Sequence, residues 1–438
     1  MKNTIDMKKH FLLRLIVVLF FGCMQQAVSA QEGTWSGHLK LGEQKLQLVF
    51  HLQKDSCRMD SPDQGVRGIA VKRNDVPLPT LSLSIPLAGA EYKGVWMGEQ
   101  IIGTFLQHGY EFPLTLKPGV PVKNRPQTPQ GPFPYTCEEV SFANQEALLK
   151  GTLTLPANCS PETPVLLMVT GSGLQNRDEE VFEHKPFAVI ADALARHGIA
   201  TLRYDDRGVG ESTGEVVNAT TETFKKDALA GITFLRKRFK NVGVLGHSEG
   251  GTIGLMLAAE KQVDYVISLA GMAISGKETL LEQNRYLLQH SHCSPDTSRE
   301  YLKILEDLFD QVIKGLTPQL IDSALLPEEL RMNLQQVLVS LHTPYMKQFL
   351  QLDLSPSVRD ITCPVLALNG TKDTQVDCQK NLELLKKVPH SKSQVQACEN
   401  LNHLFQHCQT GSTLEYADLE ETFSPLVLKQ MVEWIHAL

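Results

Sequence analysis

A glycine-flanked serine motif joins an apolar segment to a helix-forming segment in the middle of the chain, and it constrains the fold more than any other feature. Residues 242–245 are mostly apolar, residues 246–250 read GHSEG, and residues 252–260 read TIGLMLAAE. A serine on a strained strand-to-helix turn needs small neighbours, because only they allow so tight a turn. The pattern predicts a nucleophile elbow in which Gly246 and Gly250 make room for the turn that presents Ser248.

The second half of the chain alternates apolar strands with amphipathic helices. This pattern, from residue 136 to residue 438, predicts an α/β fold with a doubly wound, mostly parallel sheet. Between about residues 272 and 363 the alternation stops, and two helical stripes of apolar residues appear instead. The stripes are Leu305, Leu308, Phe309 and Val312, and Leu330, Leu334, Val337, Leu338 and Leu341. We interpret this stretch as a helical cap insertion between two core strands.

The chain before residue 136 has a different composition. Residues 31–117 contain short β-type segments separated by frequent glycines, which predicts a small all-β domain, either a sandwich or a half-barrel. Residues 118–135 are rich in proline and are interpreted as an extended linker. The α/β segment, residues 136–438, follows this linker.

The first residues have the pattern of a targeting segment. Two lysines precede an apolar run over residues 11–24, and Val28-Ser29-Ala30 has small residues at the spacing that signal peptidase accepts. We expect residues 1–30 to be a signal peptide cleaved after Ala30, with export to the periplasm or the extracellular space. A membrane anchor and a lipoprotein acylated at Cys23 are the alternatives.

Eight cysteines follow residue 30, and an even number in an exported chain permits disulfides. Cys398 and Cys408 flank His403 and could staple its loop, but buried free thiols are an equally open interpretation. The pairing therefore stays undecided at this level.

Two further residues complete a candidate catalytic triad with Ser248. A serine hydroxyl needs a base, and this fold places the acid and then the histidine after the serine in the chain. Asp373 follows the apolar strand at residues 365–368, and His403 follows a candidate strand at residues 393–397. Asp377 and His407 are the nearest rivals for these two roles.

The oxyanion site is expected at the end of an earlier strand. Residues 171–173 read GSG after a buried apolar strand, and a glycine-rich strand end can present backbone N–H groups to a developing oxyanion. We expect the N–H of Ser172 to act together with the N–H of Glu249. A plain tight turn at this place is the alternative.

These motifs resemble the α/β-hydrolase superfamily over residues 136–438. The chain resembles more closely the secreted bacterial esterases of the EstD type, which carry a small β domain before the hydrolase. The resemblance rests on GSGLQNRDE, RYDDRGVGES, GHSEGG, LNGTKD and LNHLFQ, which begin at residues 171, 203, 246, 368 and 401. Leu174 and Asn176 stand where the family usually has Pro and Asp. The resemblance implies carboxylesterase activity through an acyl-enzyme on Ser248.

Three functions remain under comparison. The first is an esterase for short acyl groups, the second a peptidase of the prolyl-oligopeptidase type, and the third a non-catalytic binding protein on a hydrolase scaffold. The segment before the hydrolase is too short for a β-propeller, and the complete triad argues against a binding protein. Motif spacing implies no metal or organic cofactor. The expected partner is a small-molecule ester.

Other partners are not indicated. The net charge of −7 does not suggest nucleic-acid binding. No membrane span is expected after signal cleavage, and the oligomeric state is open.

Overall fold

The computed structural model describes residues 32–41, 44–54, 56–64, 66–107, 109–120, 123–291, 293–320 and 323–438. The predicted signal peptide and Cys23 lie outside these residues. The chain divides into two compact units, of which the first ends at Asn124 and the second comprises Arg125–Leu438. A search of the described residues found no helix that is both long and apolar enough for a membrane crossing.

The first unit is a closed antiparallel barrel. Its strands are β1 (Gly33–Leu41), β2 (Gln44–Leu52), β3 (Cys57–Ser61), β4 (Val66–Arg73), β5 (Thr80–Ile85), β6 (Ala90–Trp96), β7 (Ile101–Gln107) and β8 (Tyr110–Pro118). Each strand pairs with the next, and β1 pairs with β8 at Ser36 and Lys117. The expectation of a sandwich or half-barrel is therefore corrected. Local patterns do not reveal whether the first and last strands meet.

The barrel interior also explains why apolar and polar residues do not alternate regularly along β2, which reads QKLQLVFHL. Phe50, Leu83 and Tyr92 fill the core, and all three are fully buried. Gln47 and Val49 lie on the opposite face of the strand from Phe50, and they are buried as well. Both faces of this strand are therefore covered, so its sequence does not follow a simple period of two.

The second unit contains an eight-stranded sheet in the order β16-β15-β14-β13-β11-β12-β10-β9. Its strands are β9 (Thr136–Asn144), β10 (Ala147–Leu155), β11 (Val165–Val169), β12 (Ala200–Tyr204), β13 (Val242–His247), β14 (Val266–Leu269), β15 (Val365–Gly370) and β16 (Gln394–Cys398). The six strands from β11 onward are parallel, whereas β10 pairs antiparallel with both of its neighbours, β9 and β12. The predicted doubly wound, mostly parallel sheet is confirmed.

Helices cover both faces of this sheet. They are α1 (Pro186–Arg196), α2 (Thr221–Leu235), α3 (Glu249–Ala259), α8 (Cys378–Leu385) and α9 (Pro425–His436), and α4 to α7 are given below. One apolar core holds the buried sides of α1 and α9, and a second holds those of α2, α3 and α8. The sheet is thereby buried between two helical layers, which is why its central strands are nearly all apolar.

The cap insertion lies between β14 and β15 and consists of α4 (Gly276–Gln289), α5 (Pro295–Ile313), α6 (Glu328–Ser340) and α7 (Pro344–Gln351). The predicted stripe of Leu305, Leu308, Phe309 and Val312 is buried. Leu334 and Leu341 of the second stripe join the same core, whereas its other residues are partly buried. The insertion is therefore a helical cap with a core of its own, as predicted.

Residues 125–135, which the sequence assigns to the linker, belong to the second unit. Arg125 donates hydrogen bonds to the carbonyls of Phe182, Ala417 and Leu419. The Gln127 side chain donates to the Phe423 carbonyl at 2.7 Å. A proline-rich chain forms few hydrogen bonds of its own, but these side chains anchor it.

The cysteines of the described residues are all free thiols: Cys57, Cys137, Cys159, Cys293, Cys363, Cys378, Cys398 and Cys408. The staple considered for Cys398 and Cys408 is not formed. Instead, the Cys408 thiol donates to the backbone carbonyl of Asn400.

Candidate active site

Four of the predicted site residues follow parallel strands and so meet at one edge of the sheet. Ser172 follows β11, Ser248 follows β13, Asp373 follows β15 and His403 follows β16. We call these four strand-end loops the carboxyl edge. Ser172, Ser248 and His403 line one cavity of about 480 Å³.

Ser248 occupies the strained turn that the motif predicts. Its backbone has φ of 52° and ψ of −120°, in a region that side chains rarely adopt, and its N–H donates to Leu269 O at 2.8 Å. A Cβ on Gly246 would lie 2.0 Å from Gly250 O, and one on Gly250 would lie 2.0 Å from Val169 O. Glycine is required at both positions because the strand and the helix cross here at backbone contact.

Asp373 and His403 form a buried hydrogen-bonded pair. The distance from His403 Nδ1 to Asp373 Oδ2 is 2.7 Å, and the Asp373 side chain is fully buried. Asp373 Oδ1 accepts the N–H groups of Gln375 and Val376 at 2.8 and 2.9 Å. The carboxylate thereby holds the Nδ1–H tautomer of His403 and leaves Nε2 to accept a proton.

The two rival residues have other contacts. Asp377 is the N-cap of α8, and its side chain accepts the N–H of Lys380 at 2.7 Å. His407 pairs with Glu421 at 2.8 Å, and about half of its side chain is exposed.

Backbone donors border the cavity on the side of Ser172. Glu249 is the first residue of α3, and the first N–H groups of an α-helix have no partner within it. The N–H of Gly171 donates to Glu179 Oε1 at 2.7 Å. The Gly171 N–H is therefore occupied. The N–H groups of Ser172, the next residue on that loop, and of Glu249 remain the candidates for binding a negative oxygen.

The cap reaches this region through Tyr345 of α7. The Tyr345 hydroxyl donates to Glu249 Oε2 at 2.6 Å, and Thr221 donates to the other oxygen of the same carboxylate. Burial, together with the Glu249 carboxylate, raises the pKa of Tyr345, which keeps the phenol protonated. A cap residue thus contacts the residue that follows Ser248.

Aromatic side chains form much of the remaining wall. Phe182 and Tyr416 come from loops of the α/β unit, and Tyr345 and Phe349 come from α7. Sequence analysis missed all four because no motif carries them. For the two cap residues, their place in the predicted cap insertion was the one available signal.

Two motif residues without a predicted role form a second histidine–carboxylate pair. His247 Nδ1 lies 2.9 Å from Glu179 Oε1, and His247 Nε2 lies 2.9 Å from the carbonyl oxygen of His403. Burial by itself lowers the pKa of His247, but Glu179, the His403 carbonyl and Asp373 raise it above its ordinary value. Their place in GHSEGG and GSGLQNRDE was the signal that could have found them.

The other charged motif residues form ion pairs. Arg177 binds Asp205 at 2.8 Å, and Arg207 binds Asp227 at 2.7 Å through two nitrogens. Asp206 accepts from Gln175 N and the Thr170 hydroxyl, and burial raises its pKa to about 8. Among the residues that the structure describes, no group of three His, Cys, Asp or Glu side chains is arranged to hold a metal ion.

The mostly parallel sheet, the elbow at Ser248 and the strand-end loops define an α/β hydrolase. The family described as serine aminopeptidase, S33, matches residues 183–407, just over half of the chain, and the chain belongs to this family. The resemblance that the motifs indicate is thereby confirmed.

One curated relative is Esterase EstD of Thermotoga maritima, which is 29% identical over 277 residues. The match covers 61% of this chain and 61% of the length of that relative. Est1E from Butyrivibrio proteoclasticus, solved with ferulic acid bound, is 18% identical, with 68% of this chain and 98% of that chain covered at a TM-score of 0.44. An esterase of Pyrococcus furiosus is 16% identical, with 73% and 99% covered at a TM-score of 0.43.

Proposed function

We propose that the protein is a serine hydrolase that cleaves carboxylic esters through an acyl-enzyme on Ser248. The observation that carries the proposal is the 2.7 Å hydrogen bond between Asp373 and His403, whose ring lines the same cavity as Ser248. A buried carboxylate that orients a histidine beside a serine on a strained turn is the arrangement needed to activate a hydroxyl.

The proposed reaction follows from these positions. His403 Nε2 takes the proton of the Ser248 hydroxyl as Oγ attacks the ester carbonyl. The N–H groups of Ser172 and Glu249 stabilise the negative oxygen of the tetrahedral intermediate. His403 then gives its proton to the leaving alcohol, and water repeats the sequence on the acyl-enzyme to release the acid and free Ser248. Asp373 stabilises the imidazolium in both halves.

The family description favours an aminopeptidase as a second candidate. An aminopeptidase must recognise a substrate ammonium group, for which a free carboxylate in the cavity is the natural partner. Among the described residues that line the cavity, Glu179 is the acidic one, and its Oε1 already accepts from Gly171 and faces His247. This arrangement supports an ester substrate without an ammonium group.

The test combines a probe of the serine with a pair of substrates. A fluorophosphonate should label Ser248 with one equivalent per chain, and the protein should hydrolyse p-nitrophenyl butyrate but not alanine p-nitroanilide. The Ser248→Ala variant is the control for both measurements. Turnover of the anilide in preference to the ester would favour the aminopeptidase, and a chain that is inert to all three reagents would contradict the proposal.

We further propose that the acyl group is short and the substrate uncharged. The cavity of about 480 Å³ is covered by a cap whose apolar residues are largely consumed in its own core. Of the described residues that line it, none is a lysine or an arginine, and the ring of His247 already faces the Glu179 carboxyl group. A long acyl chain would need an extended apolar trough, and an anionic substrate would need a cation.

Export remains part of the proposal, because the residues that predict it lie outside the described part of the chain. Mass spectrometry of the periplasmic protein should find Gln31 at the N-terminus. An acylated Cys23 at that terminus would instead identify a lipoprotein.

A further inference from the structure

A buried histidine–carboxylate pair lies beside the proposed triad and takes no part in the mechanism above. The side chains of His247 and Glu179 are only 8% and 4% exposed. The two imidazole rings of His247 and His403 lie 4.7 Å apart, tilted by 49°. Buried ionisable groups are costly unless they are paired, so a second such pair at this edge calls for a reason.

The hydrogen bonds of the pair define where its proton lies. Glu179 Oε1 receives the Gly171 N–H at 2.7 Å and also faces His247 Nδ1 at 2.9 Å. The raised pKa of His247 favours a proton on Nδ1, which then donates to this oxygen of a Glu179 carboxylate. Because His247 Nε2 faces the carbonyl of His403, which can only accept, Nε2 must donate as well. With both ring nitrogens donating, His247 is an imidazolium, which is the form that its raised pKa favours.

The same contacts join three loops of the carboxyl edge. Gly171 belongs to the loop that carries Ser172, His247 directly precedes Ser248, and the accepting carbonyl is that of His403. One carboxylate and one imidazolium thus connect the oxyanion loop, the nucleophile elbow and the histidine loop. Each connection is made to the backbone or to a residue adjacent to a proposed catalytic group.

We propose that Glu179 and His247 are positioning residues, which act as one charged unit to set the backbone of His403 and the oxyanion loop relative to Ser248. This inference rests on the proposed function and deepens it. The backbone contacts identify the groups that are held, and the shared carboxylate oxygen makes the two residues interdependent. Loss of either charge removes a donor or an acceptor that the other needs.

The charge of the unit matters as well as its shape. Without the imidazolium, the Glu179 carboxylate would be an unpaired buried negative charge. It would lie against Gly171, the neighbour of Ser172, where the oxyanion is expected. Without the carboxylate, His247 would lose the interaction that raises its pKa, and a neutral imidazole could no longer donate from both nitrogens. Each single change should therefore displace the same backbone groups, and the second change should add little to the first.

The experiment compares Glu179→Gln, His247→Gln and the double variant with the wild type. The matched controls are His407→Gln and Glu421→Gln, which alter a histidine–glutamate pair on the same loop as His403 but exposed to solvent. Fluorophosphonate titration counts competent sites, and kcat is then expressed per titrated site. The substrate is p-nitrophenyl butyrate, and the thermal midpoint of each variant is recorded.

Each single variant should lose roughly 10- to 100-fold in kcat per titrated site, as expected for a displacement of reacting groups by a fraction of an ångström to one ångström. The KM should stay within about threefold, because neither residue is proposed to bind the substrate. The double variant should lose no more than the worse single variant, because residues that act as a unit are not additive. The controls should keep kcat within about twofold, in keeping with the small effects of exposed pairs.

Several results would overturn the inference. A normal kcat per titrated site, with only fewer sites or a lower thermal midpoint, would assign the pair a purely structural role. Multiplicative losses in the double variant would show that the two residues act independently. A ¹⁵N NMR spectrum of a neutral His247 at pH 7 would contradict the proposed charge of the pair. Failure of the proposed function is distinguishable, because a wild type inert to the phosphonate and the ester would overturn both proposals, whereas an active wild type with unaffected variants overturns this one alone.

Discussion

The barrel and the carboxyl edge bury polar groups very differently. The buried polar residues among the described part of the barrel are Ser36, Gln47, Ser61 and Ser82, and none of these four carries a charge. At and behind the carboxyl edge the buried residues include Glu179, Asp205, Asp206, Arg207, Asp227, His247, Glu249 and His403. Both regions have dense apolar cores, so core packing does not account for the contrast.

The contrast separates stability from chemistry. Removing a charged group from water costs several kcal/mol unless a partner compensates, so a protein gains little stability from it. The barrel has a histidine–carboxylate contact of its own, His51 with Asp60 at 2.9 Å, but 39% of that histidine side chain is exposed. The buried pairs are concentrated where strand ends meet, and such concentrations of ionisable groups mark functional sites.

The largest effect should come from removing a member of the proposed triad. Ser248→Ala or His403→Ala should each lower kcat for p-nitrophenyl butyrate by about 10⁴- to 10⁶-fold, because nucleophile and base act as a unit. The matched change in the barrel, His51→Ala, should leave kcat unchanged. Near-normal turnover by purified Ser248→Ala would contradict the proposal that the chemistry takes place at the carboxyl edge.

The acid is tested by two aspartates on one loop. Asp373→Asn should lower kcat by roughly 10⁴-fold, because the amide favours the wrong tautomer of His403. Asp377→Asn, which alters only the cap of α8, should keep kcat and lose at most a fraction of a kcal/mol in unfolding free energy. The opposite ranking would move the acid to Asp377.

A smaller effect is expected from the length of the acyl chain. If the cap confines the cavity, kcat/KM should rise by up to about fourfold per methylene for short chains, the value of one buried methylene, and then fall beyond about six carbons. The measurement is a series of p-nitrophenyl esters from acetate to dodecanoate. A continued rise through the longest chains, with activation by an oil–water interface, would make the insertion a lid.

The contact between the cap and the elbow should have a modest effect. Tyr345→Phe removes one charge-assisted hydrogen bond to Glu249, and a loss of about five- to thirtyfold in kcat/KM is expected from its contribution of about 1–2 kcal/mol. Tyr301→Phe is the matched control, because Tyr301 is a buried cap tyrosine that donates to Asn284 and Asn333 within the cap. Equal losses in both variants would show that the cap acts through its stability alone.

The pH dependence of stability tests the charge at His247. Because its pKa is raised in the folded protein, its stabilising contribution is complete below the unfolded value of about 6.5 and is lost as the pH rises through the folded pKa. The difference in thermal midpoint between wild type and His247→Gln should therefore narrow above pH 6.5. Asp206, whose pKa is about 8, titrates in both proteins and cancels in this difference. A difference that widens with pH would contradict the imidazolium.

Removal of the barrel should have the smallest effect on the reactivity of Ser248. A chain that begins at Arg125 keeps the contacts of Arg125 and Gln127 with the second unit, and it should retain phosphonate labelling of Ser248. A chain that begins at Gly131 lacks these contacts and should be less stable while still being labelled. Folded protein without labelling would show that the barrel contributes to the chemistry after all.

Local patterns determined much of this protein. The mostly parallel sheet followed from apolar strands that alternate with helices, and the cap followed from its two helical stripes. The positions of Ser248, Asp373 and His403 at strand ends followed from motifs of a few residues, because the geometry of a strand-to-helix turn depends mainly on neighbours in the chain. Such features are readable because a short segment contains the whole physical reason.

Only the tertiary structure decided the rest. Closure of the barrel depends on a pairing between β1 and β8, which are separated by most of that unit. The contact of Glu179 with His247, and that of Tyr345 with Glu249, join residues 68 and 96 positions apart. No local period encodes such contacts, since each depends on where several elements pack at once, and a buried histidine becomes charged only when a distant carboxylate reaches it.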